Sequence, residues 1–362
     1  MKILDKYILK NLLLTFFYSL FLFAFISVVI DISEKTDDFV KSGLSTSQIF
    51  AEYYIGFIPH ILALLFPLFV FLATIFFTSK LAERSEIIAI LASGTSFNRY
   101  LLPFLMSGII LATTLWFGSR YVIPKANAIR VSFQSNYIDK NSTYNPLVAN
   151  RNSIYLQISA SSFASISYDT GTKKGTNFFV QHITNNKVDF NLRAESIKWD
   201  SAKQNWILEN VVERKIDGLK ETVQLIPRKT MNYNFKPLDL KRDEYTKDML
   251  VTPDLDRFIN LEEQRGVEGL NALKVERHRR DATPASVILL TMIGALVASR
   301  KVRGGSGVHL ATGFIAVGIY ILADKFSTIF STKGNFPPAL AAWTPNIMFL
   351  FVAVWFYKKT PK

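Results

Sequence analysis

The chain has 362 residues, with 42 Lys and Arg against 29 Asp and Glu, a formal charge of +13. Apolar residues make up 49 %, Phe alone numbers 30, and the mean hydropathy is +0.19, too apolar for a soluble protein and too patterned for disorder. Cysteine is absent and His60, His182, His278 and His309 are scattered, which excludes disulfides, thiol nucleophiles, iron–sulfur clusters and a spaced set of metal ligands.

The first element is the uncharged run 11–30, behind a basic start of Lys2, Lys6 and Lys10. Its apolar stretch is too long for the core of a signal peptide and no small-x-small site follows it, so it reads as an uncleaved first span. Uncharged runs at 53–79, 100–119, 282–299, 304–323 and 334–357 complete a set of six. Each approaches the ~20 residues that a ~30 Å hydrocarbon core requires, and in lipid such segments must be helices.

Between the second and third spans lies the stretch from Lys80 to Ser96. Glu83, Arg84, Ser85 and Glu86 lead, an apolar stripe of Ile87, Ile88, Ile90 and Leu91 follows, and Gly94 stops the helix. The spacing predicts an amphipathic helix over about 82–93, lying on the membrane surface or docking into a groove on a cytoplasmic ATPase.

After the third span comes an insert. Over 150–235 the chain alternates with period two, as in Ile154-Tyr155-Leu156-Gln157-Ile158, Asn177-Phe178-Phe179-Val180 and Glu195-Ser196-Ile197-Lys198-Trp199. Turn signals at Asp169-Thr170-Gly171, Asn185-Asn186 and Asp217-Gly218 separate the runs, which predicts an all-β, jelly-roll-like domain at 125–252. Apolar positions Leu255, Phe258, Ile259, Leu270 and Val275 in a charged stretch predict a helical connector over 253–283, broken near Gly266. The remaining parts are 1–124, with spans one to three, and 284–362, with spans four to six.

The charges orient this arrangement. Lys2, Lys6, Lys10, Lys80, Arg84, Arg99, Arg300, Lys301, Arg303, Lys358, Lys359 and Lys362 fall on one side, and only Asp5, Glu83 and Glu86 oppose them there. The positive-inside rule predicts that both termini are cytoplasmic and that the insert lies outside. The basic surplus is thus a topology signal, and no nucleic-acid partner is expected. No phosphate-binding loop, nucleophile elbow or metalloprotease motif occurs. Arg303-Gly304-Gly305-Ser306-Gly307 lacks the lysine of a phosphate loop and reads as a tight turn.

Leu4-Asp5-Lys6-Tyr7-Ile8, Arg84-Ser85-Glu86 through Ala92-Ser93-Gly94, Gly307-Val308 with Leu322-Ala323-Asp324, and Pro337-Pro338 occur in an order that resembles the lipopolysaccharide export permeases. That is the LptF/LptG family (YjgP/YjgQ), and the resemblance runs nearly the whole chain, closer to its LptG branch. It implies a six-span, three-plus-three inner-membrane subunit of a Gram-negative bacterium. Its partners would be a sister permease, an LptB-type ATPase dimer, LptC-type and LptA-type periplasmic bridge proteins, and lipopolysaccharide. The subunit itself would bind no cofactor, ATP and Mg being used by the ATPase, and would be no enzyme. Glu83, Arg84, Ser85, Glu86, Ile87 and Ile90 would couple it to that ATPase.

Permeases of the LptG kind often carry lysines where span one leaves the membrane, suited to lipid A phosphates. Here that exit reads Asp31, Glu34-Lys35-Thr36-Asp37-Asp38, then Lys41. Either the headgroup carries less phosphate, or Lys35, Lys41, Lys125 and Arg130 take the role, with Arg120, Asp324 and Lys325 as charges at similar depth. Ile154, Leu156, Ile158, Phe178, Val180, Ile197 and Trp199 would line a lipid slot in the β domain. Two other readings stay open: a membrane-anchored assembly or binding protein without transport, and a permease of another ABC lipid or lipoprotein extractor.

Overall fold

The computed structural model describes residues 2–138, 154–159, 161–169, 174–185, 187–201, 203–237, 246–264, 269–300 and 305–359. The expected turns at Thr170-Gly171 and Arg303-Gly304 and the helix break near Gly266 lie outside them. Contacts divide the chain into two units, residues 1–134 with 247–255 and 271–362, and residues 135–246 with 256–270.

The first unit is helical. Its elements are α1 (Ile3–Ser42), α2 (Thr46–Ile49), α3 (Ile55–Glu83), α4 (Glu86–Ala92), α5 (Phe97–Phe117), α6 (Ile123–Phe133), α7 (Thr246–Met249), α8 (Thr252–Gln264), α9 (Asn271–Ala298), α10 (Gly305–Lys333) and α11 (Pro338–Lys359). Thr246 and the later residues of α8 group with the second unit. Single π-helical turns at Phe50–Tyr54 and Gly118–Val122 join α2 to α3 and α5 to α6, and a third extends α6 to Ile138. Among the described residues six helical stretches are therefore long and apolar enough to cross a membrane: Ile3–Ser42, Thr46–Glu83, Phe97–Ile138, Asn271–Ala298, Gly307–Lys333 and Pro338–Lys359.

These helices overrun the uncharged runs. α1 continues through the charged segment to Ser42, where Gly43 ends it at φ +69°. The third span continues through 125–138, so the junction expected at 124/125 falls inside a helix and the first unit reaches Gln134. The second half of the expected connector is the start of α9 itself. Its charges tolerate a helix because they find partners within it and beyond it: Arg277–Asp281 at 2.8 Å, Arg279–Glu276 at 3.6 Å and Arg280–Glu276 at 3.5 Å.

α9 is the most enclosed span, packed by α3, α5, α10 and α11. With no hydrophobic drive between helices in lipid, close packing of small residues supplies the attraction. Thr74, Ser107 and Thr291 are fully buried at these contacts, each hydroxyl donating to the carbonyl four residues earlier. Gly56 marks the tightest approach: a Cβ there would stand 2.4 Å from the Ala126 carbonyl oxygen.

The second unit holds an antiparallel sheet in chain order: β1 (Ile154–Ser159), β2 (Ser162–Asp169), β3 (Lys174–Thr184), β4 (Lys187–Asp200), β5 (Asn205–Asp217) and β6 (Lys220–Met231). The period-two alternation sends Leu156, Ala164, Ile166, Phe178, Val180, Leu192, Ala194, Ile197, Trp206, Leu208 and Val211 into one core. The chain after β6 covers that face. Phe235 is fully buried in it, the Trp206 indole N–H donates to the Phe235 carbonyl at 2.9 Å, and Asn234 donates to the Ile158 carbonyl at 3.0 Å. Segment 232–237 thereby returns from β6 to β1 across the apolar side of a sheet made of consecutive hairpins.

Candidate functional site

The expected surface helix at 82–93 is α4, shorter at both ends. Ser85 takes φ +60°, a conformation costly for a residue with a Cβ, and this turn separates α4 from α3. Ile87 is buried among Ile8, Leu12, Leu81, Phe97 and Tyr100, with Ile90 packed against the same cluster. These two residues hold α4 to the bundle. The face left open carries Glu83, Arg84, Ile88, Ala89 and Ala92, with Ile88 59 % exposed. Ile88 lies on the open face and Ile87 on the buried one, a distinction that the apolar stripe alone does not make. Glu86 accepts from the Tyr7 hydroxyl at 3.2 Å and lies 3.9 Å from Arg84.

The same end of the bundle gathers the basic segments that the sequence placed on one side. Arg99 pairs with Asp5 at 2.7 Å, the Tyr357 hydroxyl donates to Asn98 at 2.7 Å, and Arg300 donates to the Lys359 carbonyl. From here a groove of ≈ 820 Å³ runs between α1, α3 and α10. Leu14, Tyr18, Leu22, Phe69, Phe76 and Phe314 line it, with the Lys80 ammonium 4.5 Å from the Phe76 ring centre near its base. Tyr18, Phe21 and Phe25 on α1 and Phe314, Ile315 and Phe330 on α10 are more than half exposed, so these two spans carry large apolar faces that no other helix of the described chain covers.

At the opposite end the charged candidates separate into two groups. Lys35 is engaged: its ammonium pairs with Asp31 at 3.0 Å and contacts the Tyr53 hydroxyl. Asp31 is buried and also accepts from Tyr53 at 3.0 Å and Tyr54 at 3.1 Å, which the π-helical turn brings together. Arg120 is engaged too, pairing with Asp281 at 2.5 Å and stacking on Trp116 at 4.3 Å. Asp324 accepts from Arg279 at 3.1 Å. Arg130 is half-buried, whereas Lys41, Lys125 and Lys325 are exposed.

Lys325 lines a ≈ 620 Å³ cleft, polar above with Asp248, Glu276, Arg279 and Asp324 and apolar below with Leu64, Leu68 and Val317. Arg280, 4 % exposed, fastens one wall. Its guanidinium donates to the carbonyls of Leu250 and Lys247, both at 2.8 Å, and to the Thr252 hydroxyl at 3.1 Å. Burial pushes the neighbouring Asp248 carboxyl above its ordinary range.

In the sheet, the slot candidates Leu156, Phe178, Val180 and Ile197 share the covered face and are buried. Ile158 and Trp199 pack at its margin, and the side chain of Ile154 lies outside the described atoms. Tyr233 and Phe235 fill that face, with ring centres 5.4 Å and 6.5 Å from Phe178. A triad absent from the sequence reading also appears here. Ser161 meets His182 Nε2 at 2.8 Å and His182 Nδ1 meets Asp189 at 2.7 Å. The His182 and Asp189 side chains are 37 % and 42 % exposed, so the group lacks the water-excluded surroundings of a hydrolase site and acts as a hairpin tie. Among the described residues no cluster of His, Asp and Glu could hold a metal ion.

In chain order three spans precede the sheet and three follow it. The model of the family "Lipopolysaccharide export system permease LptF/LptG" covers residues 6–359. The chain belongs to this family. It is 20 % identical over 358 residues to the lipopolysaccharide export system permease protein LptG of Escherichia coli K12, covering 98 % of this chain and 97 % of that protein. LptG of E. coli O6:H1 matches to the same extent. Membership of this family of lipopolysaccharide export permeases fits the six spans and the inserted sheet.

Proposed function

We propose that the chain is one half of an ABC-type lipopolysaccharide exporter, with both termini and α4 on the cytoplasmic side of a Gram-negative inner membrane and the sheet in the periplasm. The apolar groove of ≈ 820 Å³ between α1, α3 and α10 carries this reading, because it has room for acyl chains and is open on the side where a partner helix pair would complete it. A sister permease supplies that pair. The face of Arg84, Ile88 and Ala92, framed by Glu83 and Glu86, docks an LptB-type ATPase dimer that uses ATP and Mg. Acyl chains enter the groove, and Lys41, Lys125 and Lys325 are the exposed cations best placed for headgroup phosphates, since Lys35 and Arg120 are held by carboxylates. The sheet passes the lipid toward LptC-type and LptA-type bridge proteins, which requires segment 232–237 to leave the slot face.

Affinity purification in mild detergent tests the assembly. An ATPase, a second permease of this family and lipopolysaccharide should accompany the tagged chain. Recovery of the chain with no ATPase contradicts the proposal and favours an anchoring protein.

A further inference from the structure

α1 differs from the other spans in three ways. First, it contains neither proline nor glycine over 40 residues, whereas α3 carries Pro59 and Pro67, α5 Pro103, α9 Pro284, α11 Pro345 and α10 several glycines. Without proline or glycine it runs as one unbroken helix from Ile3 to Ser42. Second, over its first two-thirds the buried apolar positions of α1 form one stripe, Ile8, Leu12, Phe16, Leu20 and Ala24, every fourth residue, with Leu13 and Phe23 packing beside it. Within that stretch the hydroxyls of Thr15 and Ser19 donate to carbonyls of α1 itself, so these polar groups do not fix its tilt against the bundle. Third, directional polar contacts sit near the two ends. Asp31 is clamped by Tyr53, Tyr54 and Lys35 at the far end. At the near end Tyr7 reaches Glu86 and Asp5 reaches Arg99.

Glu86 opens α4, and Arg99 lies in the first turn of α5, where the loop that carries α4 ends. Asp5 is the stronger point of attachment: its side chain is 4 % exposed, and one oxygen takes both the Arg99 guanidinium at 2.7 Å and the Lys2 backbone N–H at 2.8 Å. Tyr18, on the groove wall, lies about 20 Å further along the same helix at 1.5 Å per residue.

We propose that Asp5 and Arg99 are positioning residues whose ion pair hands movement of the α4 loop to α1, turning that helix about the Asp31 clamp and so changing the width of the groove. This rests on the exporter reading for the source of the movement. Neither residue lines the groove or the exposed face of α4, so the pair can be weakened without touching lipid or the docking surface.

The test compares Asp5→Asn, Arg99→Gln and Arg99→Lys with the parent in the co-purified complex, reconstituted in proteoliposomes containing lipopolysaccharide. Loss of a charge-assisted bond should leave ATPase association and ATP hydrolysis within about twofold while ATP-dependent lipid release falls at least about tenfold in Asp5→Asn and Arg99→Gln. Arg99→Lys, which keeps the charge, should recover most of the release. Release at the parental rate in both neutral variants overturns the proposal. So does parallel loss of ATPase association, or a Lys variant as poor as the Gln variant.

A second arm works without transport. Nitroxide labels on Leu14→Cys and Phe314→Cys, clean because the chain has no cysteine, read the distance across the groove. That distance distribution should broaden or shift in Asp5→Asn, and an unchanged distribution overturns the role of the pair. If the parent complex releases no lipid, the exporter reading fails, and the label distances still decide whether the pair positions α1.

Discussion

Truncating Phe235 to alanine tests whether segment 232–237 seals the sheet. Its ring is fully buried with centres 5.3 Å from Trp206 and 5.4 Å from Tyr233, so removing it sacrifices transfer energy and leaves a cavity between packed aromatics. Phe→Ala at such a site costs about 3–5 kcal/mol. Trp206→Phe is the milder companion: it strands the Phe235 carbonyl, which accepts the indole N–H, at a cost of about 1–3 kcal/mol. Hydrogen exchange on the full-length protein in micelles reads both, because a loss of about 3 kcal/mol speeds exchange through subglobal opening on the order of 100-fold. Protection should drop across β3 and β5 in Phe235→Ala and less in Trp206→Phe, while α9 amides stay protected. Faster exchange confined to 232–237, with β3 and β5 unchanged, would refute the seal.

Other substitutions probe the remaining parts. Cysteine placed at Ser93 should resist an impermeant thiol reagent added from outside, while cysteine at Asn185 should react in cells with a permeabilised outer membrane; the reverse pattern overturns the orientation. Ile88→Lys should abolish ATPase co-purification with little loss of stability, because the side chain is exposed, whereas Ile87→Ala should cost about 2–4 kcal/mol of packing; equal loss of ATPase in both, scaling with unfolding, would remove α4 as a docking face. Hydrogen bonds from His182 and Thr184 hold the Asp189 carboxyl below its ordinary 3.8, and Lys198 and Ser196 hold Glu209 below its ordinary 4.5. A depressed folded-state value stabilises above the unfolded one and the gain fades as pH falls through the lowered value, so the sheet should weaken in acid below about pH 4. Asp189→Asn with Glu209→Gln should flatten that acid limb in a melt followed by exchange; an identical limb contradicts the assignment.

The spans were legible because lipid tolerates no charge over ~20 residues, and the strands because a half-buried sheet imposes period two. Their ends were not. Hydropathy marks where the chain leaves lipid, and α1 simply keeps its helical hydrogen bonds to Ser42, helped by the Asp31–Lys35 pair one turn apart. The charges of 276–281 looked like a solvated connector since their partners Arg120 and Asp324 are remote in sequence. The same blindness made Lys35 and Arg120 look free for phosphate. Consecutive hairpins explain why the β domain was recognisable, but period two alone does not single out Tyr233-Asn234-Phe235 as the stretch that folds over the sheet and closes the core. The outward face of α4 needed three-dimensional burial to tell Ile88 from Ile87.

The most direct measurement is lipopolysaccharide release from proteoliposomes that hold the co-purified complex, with ATP or a non-hydrolysable analogue supplied on the α4 side. The exporter account predicts release that needs hydrolysis and disappears with Ile88→Lys. Release indifferent to ATP, or none from a complex whose ATPase is active, would contradict it.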